Sequence, residues 1–259
     1  MAWDLYDKLI EPIPDTVLVD SVLVGSGSTL VKVGEAAGAA ATNHLQSRPR
    51  IVDEELWENG MTWKAAASLI KSWNFTEAAI GAAAVNAFYN RRQQLEMEIS
   101  RTAGAVMMTE KDTFAAHAED LRGKKVATIG HFYYAEQFLK QAGEVFILER
   151  EVKNGDYPDT ACEYLLPEMD YVFITGFTLV NKTLPRLLEL SGNGRVILVG
   201  PSVPMAPVLF SFGVDELAGT LITDVKKTEN LIRQGSNRAV TRSGCQVRAG
   251  IEKMGFSGE

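Results

Sequence analysis

The stretch KKVATIGHFYYAEQFL, Lys124 to Leu139, decides the fold. Val126 to Ile129 is a short apolar run, Gly130 breaks it, and a helical pattern begins within a few residues. Strand, tight turn and helix in this order open a Rossmann-like α/β unit. Similar runs recur at Val145 to Leu148, Tyr171 to Thr175, Val196 to Val199 and Thr220 to Ile222. Runs that are apolar without alternation are buried on both faces, which requires a parallel sheet covered by helices on each side. The intervening helices are expected at YYAEQFLKQAG, ACEYLLPEM, KTLPRLLELSG and VKKTENLIRQG, three of them closing on the glycine that favours a helix end.

The first hundred residues follow a different rule. DTVLVDSVLVGSGSTLVKVG alternates Val and Leu on both sides of Gly25-Ser26-Gly27-Ser28 and reads as a hairpin, with glycine supplying positive φ at the turn. EAAGAAATNHLQ is expected as a third strand or a close-packed loop. Helices follow at TWKAAASLIKSW, capped by Thr62, and at NFTEAAIGAAAVNAFYN, capped by Asn74 or Thr76. RRQQLEMEISRTAGAVMMTEKD reads as polar and irregular, and DTFAAHAEDL as one short helix. The expected division is a small α+β domain over residues 1–105 and a Rossmann-like domain over residues 106–259.

Composition narrows the function classes. The chain has 259 residues and a formal net charge of -7, which argues against a nucleic-acid partner, since phosphate binding needs concentrated positive charge. The mildly basic stretch from Lys226 to Lys253 reads as a surface helix and a terminal strand. No apolar run is long enough to span a bilayer and the first residues carry acids where a signal peptide carries bases, so a cytoplasmic protein is expected. Cys162 and Cys245 lack CxxC spacing and are expected as reduced thiols.

In an open parallel sheet, ligands bind beyond the carboxyl ends of the strands, where strand order reverses. Three loops leave strands at that end: Gly130-His131-Phe132-Tyr133-Tyr134, then TGFTLVNKT from Thr175 to Thr183, then GPSVPMAP from Gly200 to Pro207. All combine glycine with hydroxyl, amide or imidazole side chains. The candidate ligand-binding residues are therefore Gly130, Phe132, Thr175, Gly176, Thr178, Asn181, Gly200, Pro201 and Ser202. His131 is a candidate proton carrier or metal ligand, because an imidazole serves either role near pH 7. Glu35, between Gly34 and Gly38, is a candidate catalytic acid, with a ligand or a loop surface charge as the alternatives. Asn86 lies in an Ala-rich helix where an unpaired amide is costly, so it either bonds backbone or lines a pocket. Only one glycine of the GxGxxG pattern is present, which weakens a dinucleotide site, although Glu149 stands near the place of a ribose-binding acid. His44 and His117 have no ligand spacing relative to His131; His117 reads as a helix-surface or boundary residue.

The loop sequences carry a resemblance beyond these patterns. GHF after the first strand, DYVFITGFTLVNKTLPRLLEL and VILVGPSVPMAPVLFSFGVDELAGTLITD resemble the C-terminal domain of the heavy-metal chelation family of bacteria and archaea, and AAIGAAAVNAF resembles its companion domain. The resemblance implies an enolase N-terminal-like α+β domain against a Rossmann-like domain, with a site between them. It shares enolase's shape without its catalytic barrel. It also implies binding of a transition metal or metal chelate, in metal-cofactor synthesis or metal uptake. The alternatives are an enzyme using NAD or S-adenosylmethionine, with Glu149 on the ribose, and a non-catalytic module that forms a homo-oligomer through its Ala/Gly-rich helices.

Overall fold

In the computed structural model, residues 3–43, 48–52, 60–108, 112–153 and 155–251 are described. Three strands, β1 (Ser21–Val24), β2 (Ser28–Val33) and β3 (Ala36–Ala41), form an antiparallel sheet in that order. The hairpin is as expected, but its glycines serve a different purpose. Neither Gly25 nor Gly27 is among the positive-φ glycines. A Cβ on Gly25 would lie 2.4 Å from Ile232 Cγ2, so the missing side chain lets the later helix Val225–Arg233 sit against the turn.

The helix Phe75–Tyr89 covers this sheet, its start fixed by Asn74 Oδ1, which accepts from the Thr76 and Glu77 amides at 3.1 Å each. Nearly all of the helix is buried, which Ala and Gly allow because they let backbones approach closely. Cβ atoms built on Gly38 and Gly81 would fall 2.0 Å from Ala87 N and 1.9 Å from Ile70 N. Thr62 caps the helix Trp63–Ser68, as expected. The segment read as irregular is in fact a helix, Arg92–Arg101, followed by the strand β4 (Ala105–Met107). Only Leu95 and Ile99 of that helix are buried, one turn apart on a polar surface, which is why its period was faint.

The remaining strands are β5 (Lys125–Ile129), β6 (Glu144–Glu149), β7 (Tyr157–Pro158), β8 (Tyr171–Thr175), β9 (Arg195–Val199), β10 (Glu216–Ile222) and β11 (Gly244–Ile251). With β4 they make an eight-stranded sheet in the order β4-β11-β10-β9-β8-β5-β6-β7. Every neighbouring pair from β10 to β7 is parallel, and β11 pairs antiparallel with both β10 and β4. The chain runs outward from β5 to β6 and β7, then returns to place β8 on the other side of β5. Strand order therefore reverses between β5 and β8, and a crevice opens at their carboxyl ends.

One buried core joins the two sheets, and polar contacts fix their relation. The Asn90 side chain, at the end of the helix Phe75–Tyr89, donates to Val203 O (2.9 Å) and Thr220 O (3.2 Å) and accepts from Met205 N (2.8 Å). Tyr6 donates to Leu179 O at 3.1 Å. Ser202 Oγ accepts from the Ala41 amide at 2.8 Å.

The basic stretch near the C-terminus is only partly a surface feature. Arg248 is buried in β11, and its Nε donates to Glu216 Oε1 at 2.7 Å, while His117 Nε2 lies 2.8 Å from Glu216 Oε2 and Thr113 donates at 2.9 Å. His117 is thus a buried partner of a buried carboxylate, not a surface histidine. Burial alone would raise the Glu216 carboxyl, but the hydrogen bonds and charges of His117 and Arg248 outweigh it and hold it at about 2.

Two predictions follow from this packing. Gly38→Ala should cost about 3 kcal/mol or more in urea denaturation, because the clashing atoms are backbone and cannot turn aside. The Glu216 pKa lies below its unfolded value, so its contribution is complete above about pH 4.5 and is lost as pH falls toward 2. Glu216→Gln should flatten the stability profile over that range and destabilise at pH 7 by roughly 3–5 kcal/mol, since Arg248 is left buried without its counter-charge. An unchanged acid slope in the variant would refute the assignment.

Candidate functional site

A cavity of about 990 Å³ opens where strand order reverses, with walls from the loops after β5, β6 and β8 and from Thr42 and Asn43 just past β3. Gly130 ends β5 with φ 103°, a conformation that suits glycine, and its amide donates to Leu148 O at 3.0 Å, so the chain turns beside β6. That turn places the His131 amide 2.9 Å from Glu149 Oε1, and the Arg150 amide donates to Glu149 Oε2 at 3.0 Å. Both carboxylate oxygens of Glu149 are already engaged by backbone.

The His131 ring lines the cavity between two acids, Nδ1 at 3.1 Å from Asp156 and Nε2 at 3.0 Å from Glu136, and stacks on Tyr133 with ring centres 4.0 Å apart. Burial alone lowers its pKa, but the two carboxylates outweigh it and raise the imidazole above its ordinary value. Two carboxylate acceptors favour the doubly protonated ring, and in that form neither nitrogen has a lone pair to offer a metal. Among the described residues, no group of three or more His, Cys, Asp or Glu side chains is placed to hold a metal ion. The described residues do not fit a bare ion.

On the β8 side, Thr175 Oγ1 accepts from the Phe177 amide at 3.4 Å, the Thr178 hydroxyl donates to Thr175 O at 2.7 Å, and Asn181 Oδ1 accepts from the Thr183 amide and hydroxyl at 3.1 and 2.7 Å. These side chains shape the loop while lining the cavity. Gly176 does not line it. A Cβ there would lie 2.6 Å from Val203 N, so this glycine lets the loops after β8 and β9 touch.

Of the expected residues, the structure brings Gly130, His131, Phe132, Glu149, Thr175, Thr178 and Asn181 together around one cavity. The third loop is placed differently. Gly200, Pro201 and Ser202 are outside the lining, and Ser202 holds Ala41, immediately before the wall residues Thr42 and Asn43. Glu35 is exposed at the turn between β2 and β3 and does not reach the cavity, which leaves it the surface-charge reading. Asn86 is buried and donates to Ala39 O at 2.7 Å, tying the helix to β3, and is not part of the cavity lining. His44 lies outside the described residues.

Sequence reading missed Lys182, Arg150 and Arg186, all of which line the cavity. A lysine amid the hydroxyls and amide of TGFTLVNKT was the available signal. Arg150 pairs with Asp159 at 3.0 Å, and Arg186 with Glu163 at 2.6 Å and Glu189 at 2.9 Å.

The His131 geometry is testable by NMR titration of the imidazole. The raised pKa means that the charged ring persists to higher pH than an ordinary histidine near 6.5, and Asp156→Asn should lower the midpoint by removing one acceptor and its charge. A wild-type midpoint at or below 6.5 that does not move in Asp156→Asn would contradict it.

Comparison with known proteins agrees with this architecture. A family model (DUF364) described as "Putative heavy-metal chelation" matches residues 112–249, and a second (DUF4213) with the same description matches residues 6–89. A crystal structure of a protein of unknown function from Desulfitobacterium hafniense, of the DUF364 family, is 37% identical, with TM-score 0.81 over 95% of this chain and 97% of that one. A second structure from that family, from Pyrococcus horikoshii, is 22% identical with TM-score 0.75 over 96% and 99% of the two chains, and shows the shared fold. An uncharacterized protein of Methanocaldococcus jannaschii is 33% identical over 168 residues, which span 62% of this chain and 60% of that protein. The chain belongs to the heavy-metal chelation family, DUF364, in its C-terminal part and carries the companion DUF4213 region before it.

Proposed function

We propose that the cleft between the small sheet and the carboxyl ends of β5, β6 and β8 binds a metal presented inside an organic chelate, so that the protein grips the chelator and not the ion. In this reading residues 1–105 and 106–259 act as two domains with the ligand between them. The observation that carries it is the pairing of a roomy cavity with an unsuitable donor set. About 990 Å³ is at the upper end of small-molecule sites, yet the described residues offer no cluster of metal ligands, and His131 is engaged by two carboxylates. The family's description supplies the metal. Two free cysteines agree with a reducing, cytoplasmic setting.

Within the cleft, the Phe132 and Phe177 rings give apolar walls, and Thr42, Asn43, Thr175, Thr178 and Thr183 offer hydroxyl and amide groups to a polar ligand. The imidazolium of His131 contributes positive charge and can move a proton on the Asp156 side or the Glu136 side.

The nucleotide-cofactor reading has one observation in its favour, the position of the cavity at the strand-order reversal. Two observations stand against it. Glu149 has both oxygens bonded to backbone amides, and β5 is followed by a short turn (Tyr133–Ala135) and the brief helix Glu136–Leu139, not by a long helix aimed at a pyrophosphate.

Calorimetry and thermal shift separate these readings. Iron(III) citrate, as a chelate probe, should bind and stabilise, by about 2.7 kcal/mol at 100 times its Kd. Cobalt, nickel and zinc chlorides should bind no more tightly to wild type than to His131→Ala. Stoichiometric binding of a bare ion that His131→Ala abolishes would overturn the proposal, as would stabilisation by NAD or S-adenosylmethionine with none by the chelate.

A further inference from the structure

Besides the His131 imidazolium, four lysine and arginine side chains among the described residues line the cleft, and three of them have side-chain partners: Arg150 and Arg186 with carboxylates, and Lys153 with the Tyr133 hydroxyl. Lys182 differs. Among the described residues it has no carboxylate partner; its Nζ donates to Val180 O at 2.8 Å and lies 5.8 Å from the Trp73 ring centre and 5.5 Å from that of Phe75. Trp73 and Phe75 belong to the N-terminal part of the chain, so this lysine of the β8 loop, itself part of the cavity lining, reaches across to rings of the other half of the molecule. One carbonyl and two aromatic faces leave ammonium protons unsatisfied in a partly covered site.

The backbone supplies a second, independent observation. Among the described residues Lys182 is the one residue other than glycine at positive φ, at 67°. A side chain in the left-handed region costs on the order of 1 kcal/mol, and glycine would remove that cost. Strain of this kind held at a cavity wall points to a role for the side chain it positions. Burial also pushes the Lys182 ammonium down to about 8.

We infer that Lys182 is the charge anchor of the cleft and binds an oxyanion arm, carboxylate or phosphate, of an organic ligand. This rests on the cleft reading above and narrows it to anionic ligands. A bound anion supplies a counter-charge to an ammonium that has no carboxylate partner among the described residues, while Arg150 and Arg186 already have theirs. For a chelated metal, the arm is a carboxylate or phosphate of the chelator that does not contact the metal.

Trace acetylation of the full-length protein with acetic anhydride, read by peptide mass spectrometry, tests this with three probes: citrate, iron(III) citrate and inorganic pyrophosphate. At least one should slow acetylation of Lys182 fivefold or more while leaving Lys226 unchanged. Shielding by citrate or its iron complex assigns a carboxylate, and shielding by pyrophosphate a phosphate. Unchanged Lys182 labelling with all three overturns the inference. Calorimetry with the same probes adds the variants. Lys182→Met should weaken binding at least tenfold and Lys182→Arg should restore it to within about threefold of wild type. Met meets the same backbone cost as Lys, and Lys182→Gly, which relieves it, provides a second charge-free variant that folds. Tight wild-type binding that survives in both charge-free variants refutes the anchor and leaves the cleft reading standing. Absence of binding to wild type by any probe refutes both.

Discussion

The amide of Asn90 holds the two halves of the molecule in register. Its three bonds reach the loop after β9, through Val203 and Met205, and the strand β10, through Thr220, from the end of the helix that covers the small sheet. Leaving such groups unpaired in a buried interface costs about 1–3 kcal/mol each, so rearrangement of this interface is strongly opposed. Ser202 then fixes Ala41, and with it Thr42 and Asn43, against the Rossmann-like sheet. Thr42 and Asn43 are therefore positioned by side-chain-to-backbone bonds made outside the cleft. A loop that reads as a ligand site in the sequence turns out to position that wall.

The electrostatics of the cleft support the proposed polar, organic ligand. Asp159 and Glu163 are paired with Arg150 and Arg186, Glu149 is bonded to backbone amides, the imidazole is balanced between two carboxylates, and Lys182, without a carboxylate partner among the described residues, stands beside aromatic rings. Three or four donors converging on a point, the arrangement a bare transition metal requires, are missing from the described residues. Charge is spread over a space large enough for a chelator. In the proposed reading, the family's description and the lack of a donor cluster among the described residues are compatible because the metal arrives already coordinated.

Much of the fold was legible because it rests on local rules. Apolar runs such as Val172-Phe173-Ile174, buried on both faces, announce a parallel strand, and Asn74 announces the helix it caps. The loops after β5 and β8 were legible as cavity walls because topology alone places strand carboxyl ends together. What escaped depends on distant partners. Ser202 and Ala41 are separated by 161 residues, Asn90 and Met205 by 115, and Arg248 and Glu216 by 32, and nothing local distinguishes these polar side chains from surface ones. Glycine misled in its own way. Gly25 and Gly176 were read as turn or ligand glycines, but each is a point where another element comes too close for a side chain. Lys182 escaped because a lysine in a loop is ordinarily a solvated charge, and only the packed rings and the left-handed backbone mark it as otherwise.

The central claim concerns where a metal sits and what lies between it and the protein. Anomalous diffraction from crystals grown with iron(III) citrate locates the iron directly. The account predicts an iron peak within the cleft beside Gly130, Thr175 and Lys182, with citrate oxygens completing its coordination and no protein side chain bonded to it. Iron bound directly by three or more protein ligands, or iron found only outside the cleft, would contradict it.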